Sequence, residues 1–147
     1  MDVAALVVWV VTAVGGFVLL GLWIARGALR APVGEGTRFP PAAVFGHLLL
    51  AAAGLVVWIV YLASSTKGVA WAAFVILIPV ALLGFTMLLR WLAGRRQVSR
   101  APASVGAAAA PVAAPAEQSF PVAIVVLHGL LAVTTVVLVL IAALQAT

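Results

Sequence analysis

The chain has 147 residues, 67% of them hydrophobic and 7% charged, with a mean hydropathy of +1.34. About a quarter of the residues of a soluble domain are charged, so this composition excludes a water-soluble globular protein. No cysteine is present. Disulfides, thiolate metal sites and covalently attached c-type haem are therefore excluded as well.

Four apolar runs are each long enough to cross about 30 Å of hydrocarbon as a helix that rises about 1.5 Å per residue. In chain order they cover residues 3–25, 42–63, 69–89 and 122–144. Every charged residue lies outside these runs or at their ends, which suits a bilayer because a charge at its centre is costly. The first run lacks the basic start of a cleaved signal peptide. The sequence therefore predicts an all-α integral membrane protein, a single-domain bundle of four transmembrane helices over residues 1–147.

The basic residues indicate how the chain is oriented. Seven of the eight follow the first or the third run, and Lys67 alone lies on the other side. The seven are Arg26, Arg30, Arg38, Arg90, Arg95, Arg96 and Arg100. This distribution is typical of positive-inside topology and predicts a multi-pass protein of the bacterial cytoplasmic membrane with both termini outside. It favours contact with anionic lipid and not with nucleic acid, despite the net charge of +5.

The connections between the runs differ in length and composition. The segment 64–68 is short, so the second and third helices must be antiparallel neighbours. Residues 98–119 are rich in Ala and Pro and have few bulky apolar side chains. They are predicted to form a flexible linker.

An internal repeat relates the two halves of the chain. Residues 39–51 read FPPAAVFGHLLLA and residues 120–132 read FPVAIVVLHGLLA, with eight identities in thirteen positions at an offset of 81. The preceding helices match at an offset of 68, including Gly16 with Gly84 and Trp23 with Trp91. We interpret this as a duplicated helical hairpin, a parallel repeat. The alternative is coincidence in a low-complexity sequence in which Phe-Pro often starts a helix.

His47 and His128, the only two histidines, occupy the same position in the two repeats. Each lies seven residues after Pro40 or Pro121, and so about 10 Å in from the cytoplasmic end of its helix. A histidine this deep in hydrocarbon needs a partner for its ring nitrogens, so it should face the bundle interior. Two at matched depth on parallel helices can face each other.

The ligand that best suits such a pair is the iron of one non-covalent haem b, with both histidines as axial ligands. Small residues on the histidine faces, Ala51, Ala132 and Gly54, are expected to leave room for the macrocycle. Arg38 is expected to bind a haem propionate, because a guanidinium suits a carboxylate. Zinc or copper is disfavoured, since no Cys, Asp or Glu lies within a span to complete the ligand set.

On His47 and His128 alone, the chain resembles the class of four-helix transmembrane b-type cytochromes. It departs from the di-haem members of that class, which need four histidines. The resemblance implies one haem per chain and electron exchange with a quinol or a membrane redox complex. It implies an electron-transfer or haem-binding protein more than an enzyme with a substrate of its own.

Other interpretations of the same residues stay open. In the first, each histidine hydrogen-bonds a carbonyl or a hydroxyl across the bundle, such as the hydroxyl of Thr86 or Thr135, and only fixes helix packing. The protein would be a non-redox accessory or assembly subunit of a larger membrane complex. A haem carrier is a further alternative, as is a homo-oligomer in which His47 pairs with its own symmetry mate.

Overall fold

A computed structural model describes residues 1–30, 36–100 and 114–147, of which 98–100 by their backbone only. Within these ranges all regular structure is helical. The elements are α1 (Asp2–Ala25), α2 (Pro41–Ser64), α3 (Lys67–Arg100), a 3-10 helix (Ala116–Ser119) and α4 (Val122–Gln145). Each of the four α-helices is long and apolar enough to cross a membrane. The expectation of four such helices is confirmed.

Proline starts both helices that carry a histidine. Pro40 is the N-cap of α2 and Pro121 that of α4. Proline suits a helix start because the first turn has no partner for its N–H groups and proline has none to offer. At the other end of α2, Ser65 adopts a left-handed conformation with φ of 51°. This residue ends the helix and allows the short turn into α3.

The third helix is longer than its apolar run. The hydropathy pattern ends at residue 89, whereas α3 continues to Arg100. Charged residues end a candidate membrane span but not a helix, and Leu, Ala, Arg and Gln are all good helix formers. The next proline in the sequence is Pro102. The predicted boundary was therefore the end of a hydrophobic segment and not of the helix.

The four helices are arranged in a ring. The closest pairs are α1 with α4 and α2 with α3, while α3 also packs on α4 and α1 touches α2 at fewer positions. Over the described residues, α1 does not pack against α3, nor α2 against α4. The two helices that carry histidine thus lie diagonally opposite each other across the bundle.

Two apolar clusters stabilise the bundle, one on either side of the histidine level. The first, near the termini of the chain, is built around Trp9, Trp58 and Val139. The second lies where α1 and α3 finish and α2 and α4 begin, which we call the arginine-rich end, and contains Trp23 and Trp91 with other buried apolar residues. Both clusters contain buried tryptophan side chains.

The 3-10 helix lies inside the segment predicted to be a linker, and its Glu117 side chain is fully buried. The carboxylate accepts hydrogen bonds of 2.8 Å from the Thr37 hydroxyl and 2.8 Å from the Arg38 backbone N–H. The Trp23 indole donates to the Thr37 hydroxyl at 2.9 Å, and the Trp91 indole donates to the Glu117 carbonyl at 3.1 Å. The chain before α2 and the chain before α4 are thereby joined. A burial cost for the carboxylate is offset by its hydrogen bonds.

Candidate functional site: a histidine pair at the bundle centre

The structure brings the two histidines together. His47 extends from α2 and His128 from α4, and their ring centres are 6.4 Å apart with an angle of 64° between the ring planes. Both side chains are half-buried. Because α2 and α4 are diagonal, the two rings meet across the interior and not along a helix contact.

Each ring is oriented by a backbone carbonyl of the neighbouring helix. His47 Nδ1 lies 2.9 Å from the Val80 carbonyl oxygen on α3, and His128 Nδ1 lies 2.9 Å from the Thr12 carbonyl oxygen on α1. A carbonyl oxygen can only accept, so the hydrogen must be on Nδ1 in both rings. In the neutral imidazole, Nε2 then carries the lone pair, which is the form that binds a metal.

The Nε2 atoms have no hydrogen-bond partner among the described residues, where each imidazole makes its one bond through Nδ1. The hydroxyl groups considered as partners from the sequence bond elsewhere. Thr86 donates to the Leu83 carbonyl at 2.8 Å, and Thr135 donates to the Leu131 carbonyl at 2.9 Å. The lone pairs of both Nε2 atoms are therefore available to a metal ion or to a hydrogen-bond donor.

A glycine faces each imidazole from the helix that supplies its carbonyl. A Cβ atom at Gly84 would lie 3.1 Å from His47 Cε1, and one at Gly16 would lie 3.1 Å from His128 Cε1. Contacts this short would force the ring to move by a few tenths of an ångström. The two glycines thus permit the observed ring positions.

The contacts of the two histidines correspond under the sequence repeat. The acceptors Thr12 and Val80 are 68 residues apart, as are Gly16 and Gly84. The hydrogen-bond lengths are equal at 2.9 Å. His47 on α2 is held by α3 and His128 on α4 is held by α1, so all four helices contribute to the site.

The small residues predicted to surround the cofactor, Ala51, Ala132 and Gly54, lie in different surroundings. Ala51 packs against the apolar cluster near the termini, and Ala132 is half-buried on α4. The space beside Gly54 is filled, since a Cβ there would lie 3.1 Å from the Trp9 indole and 3.2 Å from Ile76. Gly54 therefore allows the Trp9 indole to approach the backbone of α2.

Arg38 lies at the arginine-rich end, before α2. Its guanidinium donates to the Gln97 side-chain oxygen at 2.7 Å, and its carbonyl accepts a hydrogen bond of 3.0 Å from Arg90. These contacts hold two arginines from different parts of the chain side by side. The pair forms a cationic group at the end of the bundle where α2 and α4 begin.

Sequence reasoning missed the carbonyls that orient the rings and the buried carboxylate at the arginine-rich end. The carbonyls of Thr12 and Val80 have no sequence signal, because every residue has a carbonyl. Glu117 gave a weak sequence signal, because it is the only acidic residue of the Ala- and Pro-rich segment 98–119. Its burial became visible only with the fold.

The donor set limits which metal the pair can hold. The described residues contain no group of three or more His, Cys, Asp or Glu side chains close enough to share an ion. Two imidazoles on opposite sides of one metal, with bonds of about 2 Å each, have ring centres roughly 6 Å apart. The observed distance between the ring centres, 6.4 Å, is close to this value. A metal that brings its own equatorial ligands, as haem iron does, matches a protein that offers two axial nitrogens.

No protein-family model, curated protein or solved structure matches the chain. The fold and the site together define its class. It is a bundle of four helices, each long and apolar enough to cross a membrane, with a histidine pair at the centre.

Proposed function

We propose that this protein spans the bacterial cytoplasmic membrane and binds one haem b between α2 and α4, with His47 and His128 as axial ligands, to transfer electrons. The observation that carries the proposal is the state of the two rings. Their centres are 6.4 Å apart, both Nδ1 atoms are bound to carbonyls, and both Nε2 atoms are left with a lone pair.

The haem would supply one-electron redox chemistry at its iron. The residues of the chain supply ligation and environment. Each Nδ1–H bond to a carbonyl fixes the ring and raises the basicity of Nε2, as is usual for metal-binding histidines. If His47 and His128 both held the iron, no ligand position would be left for oxygen, so the iron would favour electron transfer. The partner is then a quinol or a membrane redox complex.

The arginine-rich end is proposed to face the cytoplasm, as the distribution of basic residues predicts. Arg38 and Arg90 lie there in contact with each other. Haem propionates would point to this side, where a guanidinium can form two parallel hydrogen bonds with a carboxylate.

We further propose that the bundle arose from a duplicated hairpin. The support lies in the contacts of the two histidines, which use residues 68 apart as acceptors and as glycine neighbours. A chance likeness of two apolar sequences would not make both rings use equivalent positions. The indole donors Trp23 and Trp91 are also 68 residues apart and both bond at the arginine-rich end.

Absorption spectroscopy of the purified full-length protein tests the haem proposal. We expect sharp reduced Soret and α bands, either as purified or after hemin is added, with one haem per chain. His47→Ala and His128→Ala should each abolish the six-coordinate spectrum. Thr134→Ala is the matched control on α4, because that exposed hydroxyl bonds only the Leu130 carbonyl of its own helix.

Two outcomes would contradict the proposal. Folded protein that stays colourless with excess hemin would favour a non-redox accessory subunit. Haem that is bound but exchanges readily with an acceptor protein, with weak ligation, would favour a haem carrier.

A further inference from the structure

Each histidine ring packs directly against helix backbone at a glycine. At Gly84, an added Cβ would lie 3.1 Å from His47 Cε1 and 3.6 Å from Nδ1. At Gly16, the corresponding distances to His128 are 3.1 Å and 3.7 Å. A side chain at either position would therefore press on the edge of the ring that carries the Nδ1 hydrogen bond.

The position of each glycine relative to the acceptor explains this contact. Gly84 comes four residues after Val80, and Gly16 comes four residues after Thr12. Side chains of an α-helix tilt toward its N-terminus, so a residue covers the turn that precedes it. A side chain four residues after an acceptor would lie over that acceptor's carbonyl. Glycine leaves the carbonyl open to a ring from another helix.

We propose that Gly16 and Gly84 are positioning residues that expose the Thr12 and Val80 carbonyls to His128 and His47. They thereby keep both rings as the Nδ1–H tautomer, with Nε2 directed to a common ligand. The part of this inference that concerns haem rests on the proposed function. The part that concerns the tautomers does not.

Other glycines in the helices show that this role is specific. Gly21 on α1 and Gly68 on α3 meet nothing within 4 Å of an added Cβ. Gly54 faces tryptophan instead of histidine. Among the glycines of the four described α-helices, only Gly15, Gly16 and Gly84 bring an added Cβ within 4 Å of a histidine that is not their neighbour in the chain. Glycine at these positions lowers helix propensity, so its presence there suits a packing role.

The test uses the full-length apoprotein labelled with ¹⁵N at histidine, which gives signals from two residues only. Nitrogen NMR distinguishes a protonated from an unprotonated ring nitrogen. We expect both rings in the wild type to be protonated at Nδ1 and unprotonated at Nε2. Gly84→Ala should change the His47 signals and leave those of His128, and Gly16→Ala should do the reverse. Gly21→Ala on α1 and Gly68→Ala on α3 are the matched controls and should change neither, because an added Cβ at these positions meets nothing within 4 Å.

The unaffected histidine in each variant reports that the bundle is still folded. The inference is overturned if either wild-type ring is protonated at Nε2. It is also overturned if the alanine variants leave the signals of the facing histidine unchanged, or if the controls change them equally.

Hemin binding gives the second measurement. Gly16→Ala and Gly84→Ala should each weaken binding by about tenfold, the lower end of what a metal site loses when a partner of its ligand is removed, and shift the redox midpoint potential. Apoprotein that shows the expected tautomers and glycine effects but binds no haem would refute the proposed function and leave the positioning role. Bound haem with no change in affinity or potential in either variant would refute the positioning role alone.

Discussion

Thr37 and Glu117, 80 residues apart in the chain, are joined by a hydrogen bond of 2.8 Å within a fully buried site. The Thr37 hydroxyl donates to the carboxylate and also accepts from the Trp23 indole at 2.9 Å. This contact links the two connections that bring the chain to the start of α2 and of α4. Since those helices carry the histidines, the link contributes to their relative placement.

Removal of the Glu117 carboxylate should destabilise the bundle. Glu117→Ala leaves the Thr37 hydroxyl without its acceptor and the Arg38 N–H without a partner. An unsatisfied buried donor costs about 1–3 kcal/mol, so we expect a loss of about 2–4 kcal/mol. Reversible unfolding in detergent measures it. Ser119→Ala, in the same 3-10 helix, removes only a local bond to the Ala116 carbonyl and should cost less than about 1 kcal/mol. Equal losses in the two variants would contradict the role of the buried link.

Removal of one axial ligand should change the spin state of a bound haem. In His47→Ala the iron would keep His128 and lose its second imidazole. We expect a shift from a six-coordinate low-spin to a high-spin spectrum, or loss of haem. Added imidazole should restore the low-spin form, because it can enter the space left by the side chain. Electron paramagnetic resonance measures the spin state of the iron before and after imidazole is added. A low-spin signal that persists without added imidazole would show that another residue is the ligand.

The absence of natural cysteines allows the orientation to be tested with single cysteine variants. Ser65 lies in the turn between α2 and α3, and Gln97 lies on the exposed extension of α3. The distribution of arginines predicts that a membrane-impermeant thiol reagent labels the Ser65→Cys variant in intact cells. The same reagent should label the Gln97→Cys variant only after lysis. The reverse pattern would place the arginine-rich end outside.

Gly54→Ala should destabilise the protein whether or not haem is bound. The new Cβ would meet Trp9 at 3.1 Å and Ile76 at 3.2 Å, and both are parts of packed helices. Overpacking of this kind costs about 1–3 kcal/mol. Gly129→Ala, which meets nothing within 4 Å, should be neutral or slightly stabilising because alanine is the better helix former. Thermal unfolding of both apoproteins makes the comparison. A stable Gly54→Ala variant that fails only in haem binding would restore Gly54 to the cofactor site.

Much of the site was accessible from the sequence, but not the groups that orient the two imidazoles. The repeat and the distance from Pro40 and Pro121 predicted that His47 and His128 would lie at one level. The sequence did not predict which carbonyl each ring would use, since that depends on how each helix is rotated against its neighbour. It suggested a carbonyl or a hydroxyl as the partner of each ring. The structure shows carbonyls, whereas the hydroxyls of Thr86 and Thr135 bond to their own helices.

The sequence by itself determined the four apolar helices, because hydropathy and the length of an apolar run are local properties of each segment. It also determined where the histidines lie along α2 and α4. The tertiary structure alone decided that these helices are diagonal and that Glu117 is buried. Those features depend on contacts between residues far apart in the chain. Which side chains meet across a bundle depends on how all the helices pack together, and no single segment determines that packing.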